Sequence, residues 1–353
     1  MVIRGKKEGK HLMNYKSGWL TLNRACNLRC RWCYAQSTKY LKEDDLDISL
    51  AYQLINIFSE LNIRHIVLIG GEPTIYPHLF EVIDYCHNKN IRCGIVTNGL
   101  KCAEIDFVKK LKGHGIHSIS LSLKGEDENA FKNITGVDAF QKVISAVRLC
   151  LSEGIKVNVS MVLTEENIES YIDGLALMRE IGVNNFHLSF CYNFNTQQID
   201  EEQYLQEHNP KRLIQKFCDG YDKLDRVTEH RFVLSEGYPL CLWDDDIINK
   251  MNKRGQISTV CQLLAKSGLL FDTKGNIIPC NAMPLIKLGK MNEDFTNAKE
   301  LLRHMQKSEI VETYKILCGV PDKKCLRCEK LVNCGGGCVC QWTNYGFNQL
   351  VRQ

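Results

Sequence analysis

The stretch Trp19-Leu-Thr-Leu-Asn23-Arg-Ala-Cys26-Asn-Leu-Arg-Cys30-Arg-Trp-Cys33-Tyr34 governs the interpretation of the whole chain. It starts as a short apolar strand and continues into a loop with the cysteine spacing C-x3-C-x2-C. Three thiolates at this spacing are one short of the four that fill every iron site of a cubane cluster. The iron that lacks a protein ligand can bind a substrate or cofactor directly. A structural or zinc-binding set of three cysteines is the alternative.

The first two thirds of the chain alternate β-rich runs with amphipathic helical patterns. The predicted strands are Trp19–Asn23, Ile66–Ile69, Ile91–Thr97, Ser118–Leu123, Ile155–Leu163 and Asn185–Phe190. The predicted helices are Ser49–Leu61, His78–Asn88, Ala103–Leu111, Ala139–Leu151 and Ile168–Ile181. This alternation predicts an α/β fold with consecutive βα units around a parallel sheet. Functional residues of such folds lie at the carboxyl ends of the strands, where the cysteine triplet stands.

The composition excludes several classes of protein. The chain has 353 residues, 44% hydrophobic and 24% charged, as in ordinary globular proteins. A net charge of +4 is too small to predict nucleic-acid or membrane binding. The opening residues lack the apolar core of a signal peptide, and no run is long and apolar enough for a membrane helix. We therefore expect a cytoplasmic protein whose 18 cysteines are metal ligands or free thiols rather than disulfides.

The pattern changes after about residue 192. We predict a flexible tail at 1–15, a barrel at 16–192, a polar helical linker at 193–240 and a cysteine-rich domain at 241–353. The last segment has few strong periodic elements. This is expected of a domain in which metal ligation substitutes for a hydrophobic core.

The motif Gly70-Gly71-Glu72-Pro73 follows the second predicted strand. Its two glycines allow a close backbone approach, and the Glu72 carboxylate can accept hydrogen bonds from an ammonium group. Polar residues also end the next two strands, with Thr97 and Asn98 after the third and Ser122 on the fourth. Ordinary turn chemistry is the alternative for all of these positions.

A second cysteine pattern lies near the C-terminus. Cys325, Cys328, Cys334 and Cys338 have the spacing C-x2-C-x5-C-x3-C. Upstream, Cys261 is followed by thirteen residues, a glycine, four residues and Cys280. A zinc ribbon formed by two cysteine pairs is the alternative to iron–sulfur ligation.

The cysteine triplet and the GGEP motif together resemble those of the radical S-adenosylmethionine (SAM) enzymes. The C-terminal cysteines resemble the SPASM domain, which carries auxiliary clusters in many of these enzymes. The resemblance covers roughly residues 16–345 and implies a partial (β/α)6 TIM-like barrel followed by a small cysteine-rich auxiliary-cluster domain. It implies that Cys26, Cys30 and Cys33 hold a [4Fe–4S] cluster whose open iron chelates SAM. Reductive cleavage of SAM then gives a 5′-deoxyadenosyl radical that abstracts a hydrogen atom.

The same resemblance implies a set of cofactor-binding residues. Contacts to SAM are assigned to Gly70, Gly71, Glu72, Pro73, Thr97, Asn98 and Ser122. Lys132 is a candidate for binding the SAM carboxylate, as are Lys124 and Arg148. Many peptide-modifying relatives carry an acidic residue in the fourth-strand element, whereas this chain has Ser120-Leu-Ser-Leu-Lys124-Gly.

The auxiliary ligands are also implied by the resemblance. Cys261, Cys280 and Cys338 are assigned to one auxiliary [4Fe–4S] cluster, and Cys325, Cys328 and Cys334 to another. The SPASM pattern has a further cysteine well downstream, whereas here only Cys340 follows Cys338. Cys340, Cys318 and Cys241 are the candidates for the missing ligands, so one auxiliary cluster is expected to keep an open iron.

SPASM-containing relatives mostly modify peptides, which implies a maturase that crosslinks a ribosomally made peptide, through a thioether or carbon–carbon bond, or epimerises one of its residues. Cys191, directly after the sixth strand, is the candidate hydrogen-atom donor. The implied partners are a peptide or protein substrate, an electron donor such as flavodoxin or ferredoxin, and a separate leader-peptide-binding protein. The alternatives are an anaerobic sulfatase-maturing enzyme that forms formylglycine and a non-catalytic iron–sulfur electron carrier or scaffold.

Overall fold

The computed structural model describes residues 13–33, 41, 43–191, 209–235, 237–258 and 261–341. The strands are β1 Ser17–Thr21, β2 His65–Ile69, β3 Arg92–Thr97, β4 Ser118–Leu123, β5 Lys156–Leu163, β6 Phe186–Phe190, β7 Phe232–Ser235, β8 Ile257–Ser258, β9 Gly268–Phe271, β10 Asn276–Ile277 and β11 Gly289–Lys290. The helices are α1 Ile48–Glu60, α2 Leu79–Asn88, α3 Ile105–Gly113, α4 Glu128–Thr135, α5 Phe140–Ser152, α6 Tyr171–Ile181, α7 Pro210–Val227, α8 Asp245–Arg254, α9 Ala298–His304, α10 Ser308–Leu317 and α11 Leu331–Cys334.

All of these strands belong to one sheet, in the order β11-β10-β9-β1-β2-β3-β4-β5-β6-β7-β8. Neighbours from β9 through β1 to β8 are parallel, and β10 pairs antiparallel with β9 and β11. The predicted α/β class with six successive βα units is therefore confirmed. The carboxyl ends of β1 to β6 meet along one edge of the sheet, which positions the loops that follow them.

Amphipathic helices cover the sheet as the sequence pattern predicts. In α1 the side chains of Ala51, Leu54, Ile55 and Phe58 are fully buried, at the spacing of one helix face. Asp47 caps this helix by accepting a hydrogen bond from the Leu50 N–H at 3.0 Å. Buried side chains alternate along β5, as expected of a strand that packs one face against a core.

The segment predicted as a helical linker, residues 193–240, contains a strand as well as a helix. Residues 192–208 lie outside the described residues, and α7 occupies much of the rest. The linker also contains β7, which pairs in parallel with β6 and extends the barrel sheet. A strand of four residues between a helix and a turn is too short to show a periodic pattern, so it was missed.

Residues on both sides of the predicted boundaries at 15 and 241 pack into the same core and sheet. Residues 1–12 of the predicted tail lie outside the described residues, but Met13 and Tyr15 are buried. The cysteine-rich segment contributes β9, which pairs with β1 in the same sheet. Packing is therefore continuous across both boundaries.

Within the described residues, none of the helices combines the length and the apolar character needed to cross a membrane.

Candidate active site

The cysteine loop after β1 is fixed by the GGEP turn after β2. The Gly71 N–H donates to Asn23 O at 2.9 Å, and the Glu72 N–H donates to Ala25 O at 2.8 Å. A Cβ atom on Gly71 would lie 2.2 Å from Ala25 O, and one on Gly70 would lie 2.3 Å from Asn23 Oδ1. The glycine pair is therefore required for the close contact between the two loops, independently of any cofactor.

The other side of the cysteine loop rests on the C-terminus of α4. The Arg29 N–H donates to Thr135 O at 3.0 Å, and the Arg31 N–H donates to Ile134 O at 3.2 Å. The helix ends at Gly136, whose φ of 74° is left-handed, so these last carbonyls have no partner within the helix. Sequence analysis did not predict α4, although its N-cap residue Asp127 is a recognisable start signal.

Glu72 is the centre of a buried hydrogen-bond network. Glu72 is only 1% exposed. Its Oε1 atom accepts hydrogen bonds from the Thr74 N–H at 3.0 Å and from the Thr74 hydroxyl at 2.6 Å. The same oxygen accepts from the Thr97 hydroxyl at 2.6 Å, and Oε2 accepts from the Asn98 N–H at 2.7 Å. The carboxylate thus joins the carboxyl ends of β2 and β3, a role that the sequence did not reveal.

This network reaches the cysteine loop through a pair of asparagines. Asn98 Nδ2 donates to Asn27 Oδ1 at 2.7 Å. Asn27 stands next to Cys26, so the end of β3 is tied directly to the first cysteine of the triplet. Three of the predicted site elements, which are the triplet, GGEP and Thr97-Asn98, therefore form one hydrogen-bonded unit.

The three cysteines of the triplet lie close enough to affect one another. Burial raises the pKa of the Cys26 thiol, the Leu28 N–H at 3.4 Å from its Sγ lowers it, and the charges of Glu72, Cys30 and Cys33 raise it. Thiolates are the form that binds metal, so a metal bound by these cysteines would displace their protons.

Lys124 is the predicted cation whose charge reaches the triplet. Burial raises the pKa of the Cys30 thiol, while the charge of Lys124 lowers it. Lys132 and Arg148 are exposed on α4 and α5. Ser122 Oγ lies 3.3 Å from Ser160 Oγ on the adjacent strand. Ser122 therefore takes part in a cross-strand hydrogen-bonded pair, which explains a serine at this position without a cofactor.

The glycine of the upstream C-terminal motif has a structural explanation. Gly275 has a φ of +77° in the turn between β9 and β10. The Asp272 carboxylate holds this turn by accepting from the N–H groups of Lys274 and Asn276, both at 2.9 Å. Lys287 Nζ pairs with the same buried carboxylate at 2.6 Å. The turn sends the chain back toward Cys280.

Cys340 is the extra candidate ligand that contacts Cys280 and Cys338. The hydrogen bond from Cys340 lowers the pKa of the Cys280 thiol to about 7, and the same contact raises that of Cys340. Cys340 also forms a hydrogen bond with Cys338. Cys318 instead donates to Leu263 O at 3.5 Å, close to Cys261 in sequence. The structure therefore associates Cys340 with the predicted first auxiliary set.

Cys325, Cys328 and Cys334 form a second group. The Cys328 N–H donates to Cys325 O at 3.1 Å in a tight turn. Burial raises the pKa of the Cys325 thiol, and the charges of Cys334 and Cys328 raise it further. Cys334 is buried, whereas Cys328 is exposed. The second group therefore extends from the core, at Cys334, to the surface, at Cys328.

The donor set fits iron–sulfur ligation. Backbone N–H groups of Leu28, Leu240, Leu264 and Ala282 lie 3.4–3.5 Å from the sulfurs of Cys26, Cys334, Cys261 and Cys280. Hydrogen bonds of this kind tune the potential of cluster sulfurs. Among the described residues, no three His, Cys, Asp or Glu side chains converge on a single ion. The cysteines of a cubane each bind a different iron, and therefore lie farther apart than the ligands of one ion.

Residues 20–178 match the Radical SAM superfamily. This segment is a radical SAM domain. Such a domain binds SAM and a [4Fe–4S] cluster, and the chain is a radical SAM enzyme.

Curated relatives of the chain are named probable GTP 3′,8-cyclases. The protein of Saccharolobus solfataricus is 29% identical over 213 residues, which cover 56% of this chain and 67% of that protein. The protein of Sulfurisphaera tokodaii is 31% identical over 175 residues, which cover 48% and 54%. The match thus spans about half to two thirds of these relatives.

Solved structures with the same fold cover nearly the whole chain. SuiB of Streptococcus suis, bound to its precursor peptide SuiA, has a TM-score of 0.70 at 17% identity over 97% of this chain and 76% of that chain. The enzyme anSMEcpe, with bound AdoMet and the Kp18Cys peptide, has a TM-score of 0.71 at 18% identity over 95% and 98%. The fold of the radical SAM domain together with its C-terminal extension is therefore shared with these two enzymes.

Proposed function

We propose that this radical SAM enzyme modifies a peptide, by forming a thioether or carbon–carbon crosslink or by epimerising a residue. The observation that carries the proposal is the contact between Gln341 Nε2 and Cys191 O, at 3.1 Å. It joins the C-terminal cysteine-bearing segment to the carboxyl end of β6. The auxiliary cysteines are therefore tied to the same edge of the sheet as the SAM-binding loops.

Two further interactions connect the loops along this edge. Arg31 of the cysteine loop pairs with Glu166 after β5 at 2.9 Å. The charge of Glu166 in turn acts on the Cys191 thiol. A substrate entering between these loops would meet the SAM site, Cys191 and the C-terminal segment together. SuiB and anSMEcpe, which share the fold, hold peptides in their solved structures.

The proposed roles follow from these positions. Cys26, Cys30 and Cys33 hold the SAM cluster, with Lys124 beside them as a cation for the SAM carboxylate. Two auxiliary clusters are held by Cys261, Cys280 and Cys338, joined by Cys340, and by Cys325, Cys328 and Cys334. When bound, SAM and its cluster supply the radical that removes a hydrogen atom from an unactivated C–H bond. A reducing partner such as flavodoxin or ferredoxin and a leader-peptide-binding protein complete the proposal.

Cys191 is the proposed hydrogen-atom donor. Burial raises the pKa of its thiol to about 12, with a further contribution from Glu166. The thiol is therefore protonated throughout the physiological pH range. An intact S–H bond is what a hydrogen-atom donor needs, since the thiolate has no hydrogen to give.

We predict that Cys191→Ser separates cleavage of SAM from formation of product in an epimerising enzyme. Serine keeps the size and polarity of the site, but its O–H bond is too strong to donate a hydrogen atom to a carbon radical. We expect 5′-deoxyadenosine to form at a rate within about threefold of the parent enzyme, with no deuterium taken into the peptide from heavy water. Cys218→Ser, on α7, is the control and should keep both activities. Normal deuterium uptake by Cys191→Ser would exclude the donor role.

The experiment that tests the function is measurement of the mass of a peptide substrate before and after reaction. The protein is reconstituted without oxygen and mixed with SAM, a strong reductant and short peptides encoded near its gene. Loss of two hydrogens identifies a crosslink, and deuterium uptake without a mass change in ordinary water identifies epimerisation. Conversion of a cysteine or serine to formylglycine would instead support the sulfatase-maturing alternative.

The curated relatives supply a second candidate, a GTP 3′,8-cyclase. A parallel reaction with GTP in place of peptide distinguishes the two. Consumption of GTP with 5′-deoxyadenosine formation, and no change in any peptide, would replace the peptide proposal. The non-catalytic carrier considered at first has no support, because the chain contains a radical SAM domain.

A further inference from the structure

The turn that contains Cys241 is packed against the second auxiliary group. The Cys338 N–H donates to Gly237 O at 3.1 Å, and the Leu240 N–H donates to Cys334 Sγ at 3.4 Å. Lys330 forms an ion pair with Asp245. These contacts lie on both sides of Cys241 along the chain, so its position relative to the group is fixed from two directions.

Glycines in the C-terminal motif make this packing possible. Gly337 has a φ of 75°, and a Cβ atom on it would lie 2.9 Å from Pro239 N. A Cβ atom on Gly336 would lie 2.8 Å from Pro321 Cδ. Position 337, which meets the turn at Pro239, therefore has space for glycine and for no larger residue.

The turn itself is anchored in the core. Leu240 is 2% exposed and Trp243 is 6% exposed, and the Trp243 ring lies 5.7 Å from the ring of Phe190 on β6. Cys241, between these two anchors, is exposed. The buried side chains on either side of it hold its backbone in position, as a metal ligand requires.

Distances along the chain bring Cys241 within reach of the group. The Leu240 N–H contacts Cys334 Sγ, and consecutive Cα atoms are about 3.8 Å apart, so the Cα atom of Cys241 lies within about 9 Å of that sulfur. Cys334 belongs to the second group, and the Lys330–Asp245 ion pair holds the chain between Cys328 and Cys334 against the residues that follow Cys241.

We propose that Cys241 supplies the fourth thiolate of the cluster held by Cys325, Cys328 and Cys334. The inference rests on the auxiliary-cluster part of the proposed function and extends it. Each iron of this cluster would then carry a protein ligand, so the cluster transfers electrons and binds no substrate. The other auxiliary cluster, held by Cys261, Cys280 and Cys338, is already joined by Cys340, so neither auxiliary cluster would keep the open iron expected from the sequence.

The test measures how many auxiliary clusters lose one iron on mild oxidation, because only an iron without a thiolate ligand is lost readily. Cys26, Cys30 and Cys33 are replaced by alanine in the full chain, so that only auxiliary clusters form on anaerobic reconstitution. Mild oxidation removes the iron that lacks a thiolate and gives a [3Fe–4S] cluster, which electron paramagnetic resonance quantifies. In this background we expect Cys241→Ala to add about one [3Fe–4S] cluster per chain. Cys218→Ala is the matched control and is expected to add none.

The remaining outcomes all count against the inference, in separable ways. Equal [3Fe–4S] yields from Cys241→Ala and the control would show that Cys241 is not a ligand. One zinc per chain bound through Cys241, with no second iron cluster, would show that the site is mononuclear. A background protein that binds neither metal would remove the auxiliary clusters from the proposed function as well, whereas the peptide assay tests the chemistry on its own. Because Cys241 is exposed, its replacement is expected to leave the thermal unfolding midpoint of the cluster-free protein unchanged.

Discussion

Replacing Cys30 with alanine is expected to reduce 5′-deoxyadenosine formation to the level found without enzyme. Cys30 is buried beside Lys124, so no exposed side chain can take its place as a ligand. Two thiolates cannot hold a cubane that already lacks its fourth protein ligand. The measurement is chromatographic quantification of 5′-deoxyadenosine with SAM and a strong reductant, together with the iron content.

The control for this variant is Cys218→Ala, which removes a half-buried thiol far from the triplet in sequence. It is expected to keep its iron and its turnover. We expect Cys30→Ala to lose about four irons per chain while the auxiliary iron remains. Full 5′-deoxyadenosine formation by Cys30→Ala would mean that the triplet is not the SAM cluster.

Replacing Glu72 with alanine is expected to lower both stability and SAM cleavage. The change leaves two N–H groups and two hydroxyls without their acceptor in a buried site, where each unpaired donor is costly. We expect the free energy of unfolding of the cluster-free protein, measured with urea, to fall by about 3–5 kcal/mol. SAM cleavage is expected to fall because the end of β3 and the cysteine loop lose their common anchor.

Two further variants separate these effects. Glu72→Gln keeps one oxygen for the Thr74 and Thr97 donors but faces the Asn98 N–H with a second donor, so a smaller loss of about 1–2 kcal/mol is expected. Glu104→Ala removes an exposed glutamate paired with Lys101 and is expected to cost less than about 1 kcal/mol. Unchanged stability of Glu72→Ala with complete loss of SAM binding would assign the carboxylate to the cofactor alone.

The barrel could be predicted from the sequence because its signals are local. The six predicted strands agree with β1 to β6 to within two residues at each end, and the predicted helices to within three. Each of these elements is long enough to show its own periodicity. In contrast, β7 to β11 have only two to four residues each and are stabilised by pairing with other strands. Such pairing leaves no pattern within the strand itself.

The candidate site divides in the same way. The triplet and the C-x2-C-x5-C-x3-C motif are visible because their ligands are close in sequence. Cys241 is not part of any short cysteine motif. Its proximity to Cys334 depends on the contact between Leu240 and Cys334, which are 94 residues apart in the sequence. The role of Glu72 as a link between two strands was hidden for the same reason, since its partners include Thr97 and Asn98 on the next strand.

The pairing of β1 with β9 also constrains how this protein is made. β1 lies between β2 and β9, and its partner residues on β9 are about 250 positions later in the chain. During synthesis one edge of β1 stays without a partner until the C-terminal segment has left the ribosome. Bare strand edges favour aggregation, so this long wait exposes the nascent barrel to it. Synthesis of β9 therefore precedes enclosure of β1, and the loop that carries Cys26, Cys30 and Cys33 extends directly from this late-enclosed strand.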